Sequence, residues 1–149
     1  MIAYYRTMPV PPLEMLTLIE NMIPFNKYLG VRIDEAREGF VRLELPFRPE
    51  FIGDAARPAL HGGVISTLID TAGGFAVWTQ VSVEDRVSTI DLRVDYLAPG
   101  GPETLFAEAT VVRVGNRVGV TDVRCFQPSA PTRIVATGKA VYNIKRSED

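Results

Sequence analysis

The stretch His61-Gly62-Gly63-Val64-Ile65-Ser66-Thr67-Leu68-Ile69-Asp70-Thr71-Ala72-Gly73-Gly74-Phe75-Ala76-Val77-Trp78 decides how this chain folds. Its apolar residues Val64, Ile65, Leu68, Ile69, Ala72, Phe75, Ala76, Val77 and Trp78 fall at successive helical angles covering nearly the whole circumference. A helix that is apolar all round is buried all round. The spacing therefore predicts one long central helix from His61 to about Thr79, with other elements wrapped about it. It is no membrane span, because residues 62–83 also carry Ser66, Thr67, Asp70, Thr71, Thr79, Gln80 and Ser82. No uninterrupted apolar run approaches the ~20 residues a crossing needs.

Upstream, Pro9, Pro11 and Pro12 make an extended lead-in, and Pro12 suits the first turn of a helix. Leu13, Leu16 and Ile19 or Glu20 follow helical spacing, with Met15, Leu18 and Met22 alongside, until Pro24 stops the run. Residues 28–45 read as two short strands around Ala36-Arg37-Glu38-Gly39; in the second, Val41, Leu43 and Leu45 alternate with Arg42 and Glu44. Residues 46–60, with Pro46, Pro49, Gly53 and Pro58, read as a loop.

Downstream, Ile90, Leu92, Val94 and Tyr96 alternate with Asp91, Arg93 and Asp95, the period of a one-sided strand. Pro99-Gly100-Gly101-Pro102 makes a turn, residues 104–114 another strand, and Gly115-Asn116-Arg117 a tight connection. Residues 118–127 and 133–144 supply the last two strands, parted by Pro128-Ser129-Ala130-Pro131, and the charged tail 145–149 is expected to fray. Strands gathered around one helix, without βαβ alternation, predict an α+β domain with a mostly antiparallel sheet. At 149 residues the expectation is one domain spanning 1–149, with residues 1–24 as an N-terminal extension and helix.

Within residues 62–83 the one full charge at neutral pH is Asp70. Burying an unpaired carboxylate costs several kcal/mol, so Asp70 is either a partly solvated residue tied to backbone or an Arg, or a functional group. His61-Gly62-Gly63 opens the same helix, where the first N–H groups lack internal partners and the dipole is positive. Two glycines allow close approach of an anion or a developing oxyanion; the alternative is a tight helix start with His61 as its cap. Gly63 and Asp70 share a face but stand about 10.5 Å apart along the axis at 1.5 Å per residue. One carbonyl cannot touch both. Two copies of the helix, antiparallel, bring Asp70 of one chain to the glycine tip of the other, so a shared site requires at least a dimer.

The net charge of −2 gives no bulk attraction to nucleic acid or to an anionic membrane. One cysteine, Cys125, rules out an internal disulfide, reads as core, and fits a reducing cytoplasm; the N-terminal residues do not have the pattern of a signal peptide. With His61 the sole histidine, neither a Ser–His or Cys–His pair nor a zinc site is legible. Phe75 and Trp78 read as core rather than as a ligand platform.

The run from His61 to Gly74 resembles the helix signature of hotdog-fold thioesterases of the phenylacetate-degradation (PaaI-like) family. The similarity extends from about Leu29 to Tyr142 and takes in the strand Thr89-Ile90-Asp91-Leu92-Arg93-Val94-Asp95-Tyr96-Leu97-Ala98-Pro99 and the Gly115-Asn116-Arg117 turn. The resemblance implies a curved antiparallel sheet wrapped on one helix, paired edge to edge into a homodimer or homotetramer. It implies hydrolysis of acyl-CoA with no metal and no organic cofactor. Asp70 would be nucleophile or general base, the N–H at Gly63 or Gly62 would polarise the thioester carbonyl, and His61 would orient the loop or substrate.

Two positions depart from the pattern. An amide side chain common six or seven residues before the histidine is replaced by Ala55 and Asp54, so Asp54 is expected to take over by holding water. The Ser or Thr common four residues after the carboxylate is Gly74, and Thr71, one residue from Asp70, points elsewhere; both are expected among the substrate-binding residues. Coenzyme A brings phosphates, for which Arg93, Arg117 and Arg57 are candidates by position. Two other readings stay open: a hotdog dehydratase or hydratase, which usually pairs His with a carboxylate, and an acyl-CoA-binding protein without turnover.

Overall fold

The computed structural model describes residues 13–148. Pro9, Pro11 and Pro12, the tail residue Asp149, and the side chains of Met15 and Leu18 lie outside what is described. Helix α1 spans Leu13–Met22, and Pro24 ends it as the spacing predicts. The same proline then opens α2, Pro24–Leu29, at the first helical position, where a missing N–H costs nothing. Tyr28 and Leu29 are therefore helical rather than the start of a strand. Gly30, at φ 80°, closes α2 by donating its N–H to the carbonyls of Asn26 and Lys27.

Strands β1 (Arg32–Arg37) and β2 (Phe40–Leu45) form a hairpin turned at Gly39, φ 75°. The loop expected over residues 46–60 is more ordered than its prolines suggest. It holds a 3₁₀ turn, Pro49–Phe51, and a small antiparallel ladder of β3 (Ile52–Asp54) with β4 (Ala59–Leu60). The central helix α3 runs Gly62–Trp78, and β5 (Arg86–Tyr96), β6 (Leu105–Val114), β7 (Val118–Phe126) and β8 (Ala136–Lys145) follow. The main sheet is antiparallel in the order β1-β2-β6-β7-β8-β5. This is the hotdog architecture, with α3 as the filling.

Leu68, Ile69, Ala72, Phe75 and Ala76 of α3 are buried in one core with Val41, Leu43, Ala107, Ala109, Val123 and Cys125 of the sheet. The larger of these, the Leu, Ile, Val and Phe side chains, contribute roughly 1.5–3 kcal/mol each on full burial. Gly138 of β8 admits the helix, because a Cβ there would overlap Ile69. The helix is not, however, buried all round. Gly63, Thr67, Asp70, Thr71, Gly74 and Trp78 form a stripe that the sheet leaves partly or fully open.

The two sheet edges differ. At the β1 edge the Ile33 N–H donates to Glu20 Oε2 of α1 at 2.8 Å, so a helix covers it. The β5 edge is eleven residues long, and Ile90 and Tyr96 stand exposed along it, with Leu97 exposed just past its end. The tail expected to fray is tied down as far as Ser147: Arg146 pairs with buried Asp85 at 2.9 Å, and the Ser147 N–H donates to the same carboxylate at 3.0 Å. Among the described residues no helix is long and apolar enough to cross a membrane.

Candidate active site

The open stripe of α3 is built from small residues that satisfy themselves. Thr67 Oγ1 donates to the Gly63 carbonyl at 2.8 Å, and Thr71 Oγ1 to the Thr67 carbonyl at 2.8 Å, the back-bonding habit of helical threonines. Asp70 differs because its carboxylate reaches off the helix. Thr89 Oγ1 of β5 donates to Asp70 Oδ1 at 2.7 Å. From the sheet side, the Tyr142 hydroxyl donates to the Asp70 backbone carbonyl at 2.6 Å. Gly73 makes that contact possible, since a Cβ there would overlap the Tyr142 hydroxyl. Burial, and next the Asp70 charge, push the Tyr142 phenol well above its usual range, so it stays a donor.

No basic side chain bonds Asp70 among the described residues. Its carboxylate opens on a cavity of about 220 Å³ that runs past Thr71, Gly74, Phe75 and Trp78 and is closed by Val87, Ile23 and Asn26. Phe75 and Trp78, stacked with ring centroids 6.3 Å apart, pack on the core as the sequence suggests and line this cavity as well. Thr71 and Gly74 also lie on its wall.

At the helix tip, His61 is the N-cap, and its Nδ1 accepts the Gly63 N–H at 2.8 Å. The imidazole therefore keeps Nδ1 unprotonated and carries its proton on Nε2. The Gly63 amide is already engaged, whereas the Gly62 amide donates to nothing among the described residues. The Gly62 carbonyl accepts from the Tyr96 hydroxyl at 3.0 Å. Strand β5 thus runs antiparallel alongside α3, with Thr89 at Asp70 and Tyr96 at Gly62.

The remaining predicted residues lie elsewhere in one chain. Asp54 caps its own turn, accepting the N–H groups of Ala56 and Arg57 at 3.1 and 3.3 Å and pairing with the Arg57 guanidinium at 3.2 Å. Arg93 points to the outer face of the sheet, where it pairs with Asp95 at 3.3 Å in a groove of about 600 Å³. The other cations of that groove are also matched, Arg124 to Glu108 at 2.6 Å and Lys139 to Asp122 at 2.9 Å. A face whose charges are already paired calls for no ligand. Arg117 sits exposed at the β6–β7 turn.

Sequence reading missed Thr89, Tyr142 and Tyr96. For Thr89 the cause is a bulge in β5: its ladder with β8 shifts between Thr89 and Asp91. The bulge turns Thr89 toward the helix and leaves Ile90, which simple alternation places inside, 58% exposed.

A helix cradled in an antiparallel sheet, with one carboxylate on its open stripe and a free amide at its tip among the described residues, defines a hotdog-fold scaffold with its polar groups gathered on the open side of the helix. The profile of the Thioesterase superfamily matches residues 58–133, which covers α3 and β5, the strand whose Thr89 bonds the Asp70 carboxylate. The medium/long-chain acyl-CoA thioesterase YigI of Escherichia coli K12 is 35% identical over 148 residues, covering 88% of this chain and 94% of that protein. Among solved structures, a thioesterase family protein from Silicibacter pomeroyi is 27% identical at TM-score 0.78, over 85% of this chain and 93% of the other. The E. coli PaaI protein from the phenylacetic acid degradation operon shares the fold at TM-score 0.77 and 24% identity, over 87% and 90%. The chain belongs to the thioesterase superfamily.

Proposed function

We propose that this chain hydrolyses acyl-CoA to free acid and CoA in a homodimer with two symmetric sites, Asp70 supplying the carboxylate and the partner's Gly62 amide the oxyanion donor. The observation that carries the reading is Asp70 itself: a carboxylate with one oxygen fixed by Thr89 at 2.7 Å, facing a cavity with aromatic walls. The fixed geometry of β5 against α3 supports the dimer. A two-fold axis through the middle of β5, near Leu92–Arg93, sets Thr89 opposite the partner's Tyr96. Because Thr89 marks Asp70 and Tyr96 marks Gly62, the same axis sets Asp70 against the partner's Gly62. Pairing also uses the open edge, which would otherwise invite association with other strands.

In this reading the thioester oxygen rests on the Gly62 N–H, while Asp70 takes a proton from water and the hydroxide adds to the carbonyl carbon. The oxyanion collapses, the C–S bond breaks, and the thiolate recovers the proton from Asp70. In the nucleophilic version Asp70 attacks directly and the mixed anhydride is then hydrolysed. His61 holds the tip through Gly63, and Asp54 holds the turn behind it. Arg93 and Arg117 reach CoA only if the partner brings them to the mouth. The sole cysteine, Cys125, is free and forms no disulfide, which fits the reducing cytoplasm.

The test is CoA release from a panel of acyl-CoAs, with D70N beside the native protein. The expected loss is about 10²–10⁴-fold in kcat, the range for a positioned acid–base group, with the dimer intact by sedimentation. Activity within twofold of native would remove Asp70 from the reaction, and an active monomer would remove the partner's amide. A hydrated product without CoA release would favour the hydratase. Single turnover in oxygen-18 water places label in Asp70 only if the carboxylate is the nucleophile.

A further inference from the structure

Thr89 and Tyr142 face each other directly across the β5–β8 ladder, and both reach the same residue of α3. The Thr89 hydroxyl donates to the Asp70 carboxylate at 2.7 Å, and the Tyr142 hydroxyl to the Asp70 backbone carbonyl at 2.6 Å. One rung of the sheet therefore holds a single helical residue at two atoms. The Tyr142 ring belongs to a core cluster with Val77, Val81, Ala140 and Ile144, where Phe would fill the same space without burying a hydroxyl. Glycine is among the poorest residues for a helix interior, yet α3 carries Gly73 where a Cβ would overlap that hydroxyl. Thr121 Oγ1, buried and with no hydrogen-bond partner among the described residues, crowds the same point above Gly73. The Gly74 N–H also faces the phenol oxygen. A buried hydroxyl is costly unless matched, and here the match is made to the backbone of Asp70.

We propose that Tyr142 is a positioning residue for the hydrolysis: paired across the ladder with Thr89, it completes a clamp that sets the Asp70 carboxylate against the sheet. This rests on the thioesterase reading, in which Asp70 acts on water or on the thioester. Thr89 alone fixes one carboxylate oxygen and leaves the backbone beneath it free to slide or turn with α3. The Tyr142 bond removes that freedom, because it ties the carbonyl of the same residue to β8. The two anchors stand in register on neighbouring strands, so any shift of the helix against the sheet strains both bonds together. Tyr142 bonds the carbonyl and not the reacting atoms, so its effect on the chemistry passes through Asp70. A misplacement of about 1 Å is enough to cost a large factor in rate, while a thioester bound through its own contacts is held as before. The clamp therefore acts on kcat and leaves KM alone.

The experiment measures CoA release by Y142F, T89V and the double variant, with kcat and KM separated and folding checked by thermal melts. Phe keeps the ring, so the core cluster stays filled. Y142F should lose about 3–10-fold in kcat, the effect of one neutral hydrogen bond expressed in the rate, with KM within about twofold of native. In the double variant the loss should stay within about threefold of the larger single loss, because opening either side already misplaces the carboxylate. Native kcat in Y142F, or a loss carried by KM, overturns the clamp. Single losses that multiply in the double variant overturn it too, since the two hydroxyls would then act independently. Each of these outcomes leaves the thioesterase reading standing so long as native protein outpaces D70N. No CoA release from any acyl-CoA by the native protein overturns that reading and the clamp with it.

Discussion

Replacing Thr89 by Val removes one hydroxyl and keeps the shape of the side chain. In the native protein that hydroxyl donates to Asp70 Oδ1 at 2.7 Å, the length of a charge-assisted bond, a class that contributes roughly 1.5–3 kcal/mol. Asp70 is only part-buried and water can fill the vacated place, so the lower end applies, about 1–2 kcal/mol of lost positioning. At 1.36 kcal/mol per tenfold, kcat should fall by about 5–30-fold. Folding stability should hold or rise slightly, because Val favours strands as much as Thr does. T89S is the control, since it keeps the donor and loses a methyl group. Steady-state CoA release, read with a thiol reagent, gives kcat and KM separately. T89V at full kcat, or T89S as slow as T89V, would refute the claim that this bond sets the carboxylate.

Two further perturbations concern the frame that holds the site. Burial raises the Glu20 carboxyl above its ordinary value, and the Ile33 N–H and the Arg32 charge only partly offset it. A folded carboxyl held high means stability is lost as pH rises from the ordinary carboxylate value through the folded one; E20Q should therefore raise Tm at pH 7, with the gain vanishing near pH 4 in thermal melts. Asp85 has the opposite sign. Burial alone would raise it, but the Ser147 N–H, the Arg146 guanidinium and the Ser82 N–H outweigh that and hold it low. Its contribution is present above the ordinary carboxylate value and lost as pH falls through the lowered one. D85N should cost about 1–3 kcal/mol and free the tail to proteolysis at Arg146; an unchanged melt and an uncut tail would refute the anchoring.

The long helix, its histidine cap and the alternating strands were legible because each rests on local periodicity or capping chemistry. Asp70 stood out because a charge in an apolar helix is costly. What escaped was decided by long-range geometry. The bulge at Ile90 reverses the inward face of half of β5, so no alternation count could place Thr89 beside Asp70. Tyr142 lies 72 residues from the carbonyl it bonds. Asn26, on the cavity wall, belongs to a helix of six residues, too short to show a period. Asp54 was legible as a residue but not as a turn cap, because its partners Ala56 and Arg57 look like ordinary loop neighbours.

Strand β5 explains why the open stripe of α3 persists. A lone chain would gain by covering Gly63, Asp70 and Gly74 with larger apolar residues, and it would gain again by shortening an exposed eleven-residue edge. Both liabilities lie on the same side of the molecule, joined by the Thr89–Asp70 and Tyr96–Gly62 bonds. A single two-fold contact along β5 removes both. In the proposed dimer it would pair the edge, pack one small-residue stripe against another, and leave the carboxylate facing the partner's amide. The opposite edge, sealed by Glu20, offers no such solution. The open stripe and the open edge, lying together, are therefore the ground for proposing association through β5 and a site shared between two chains.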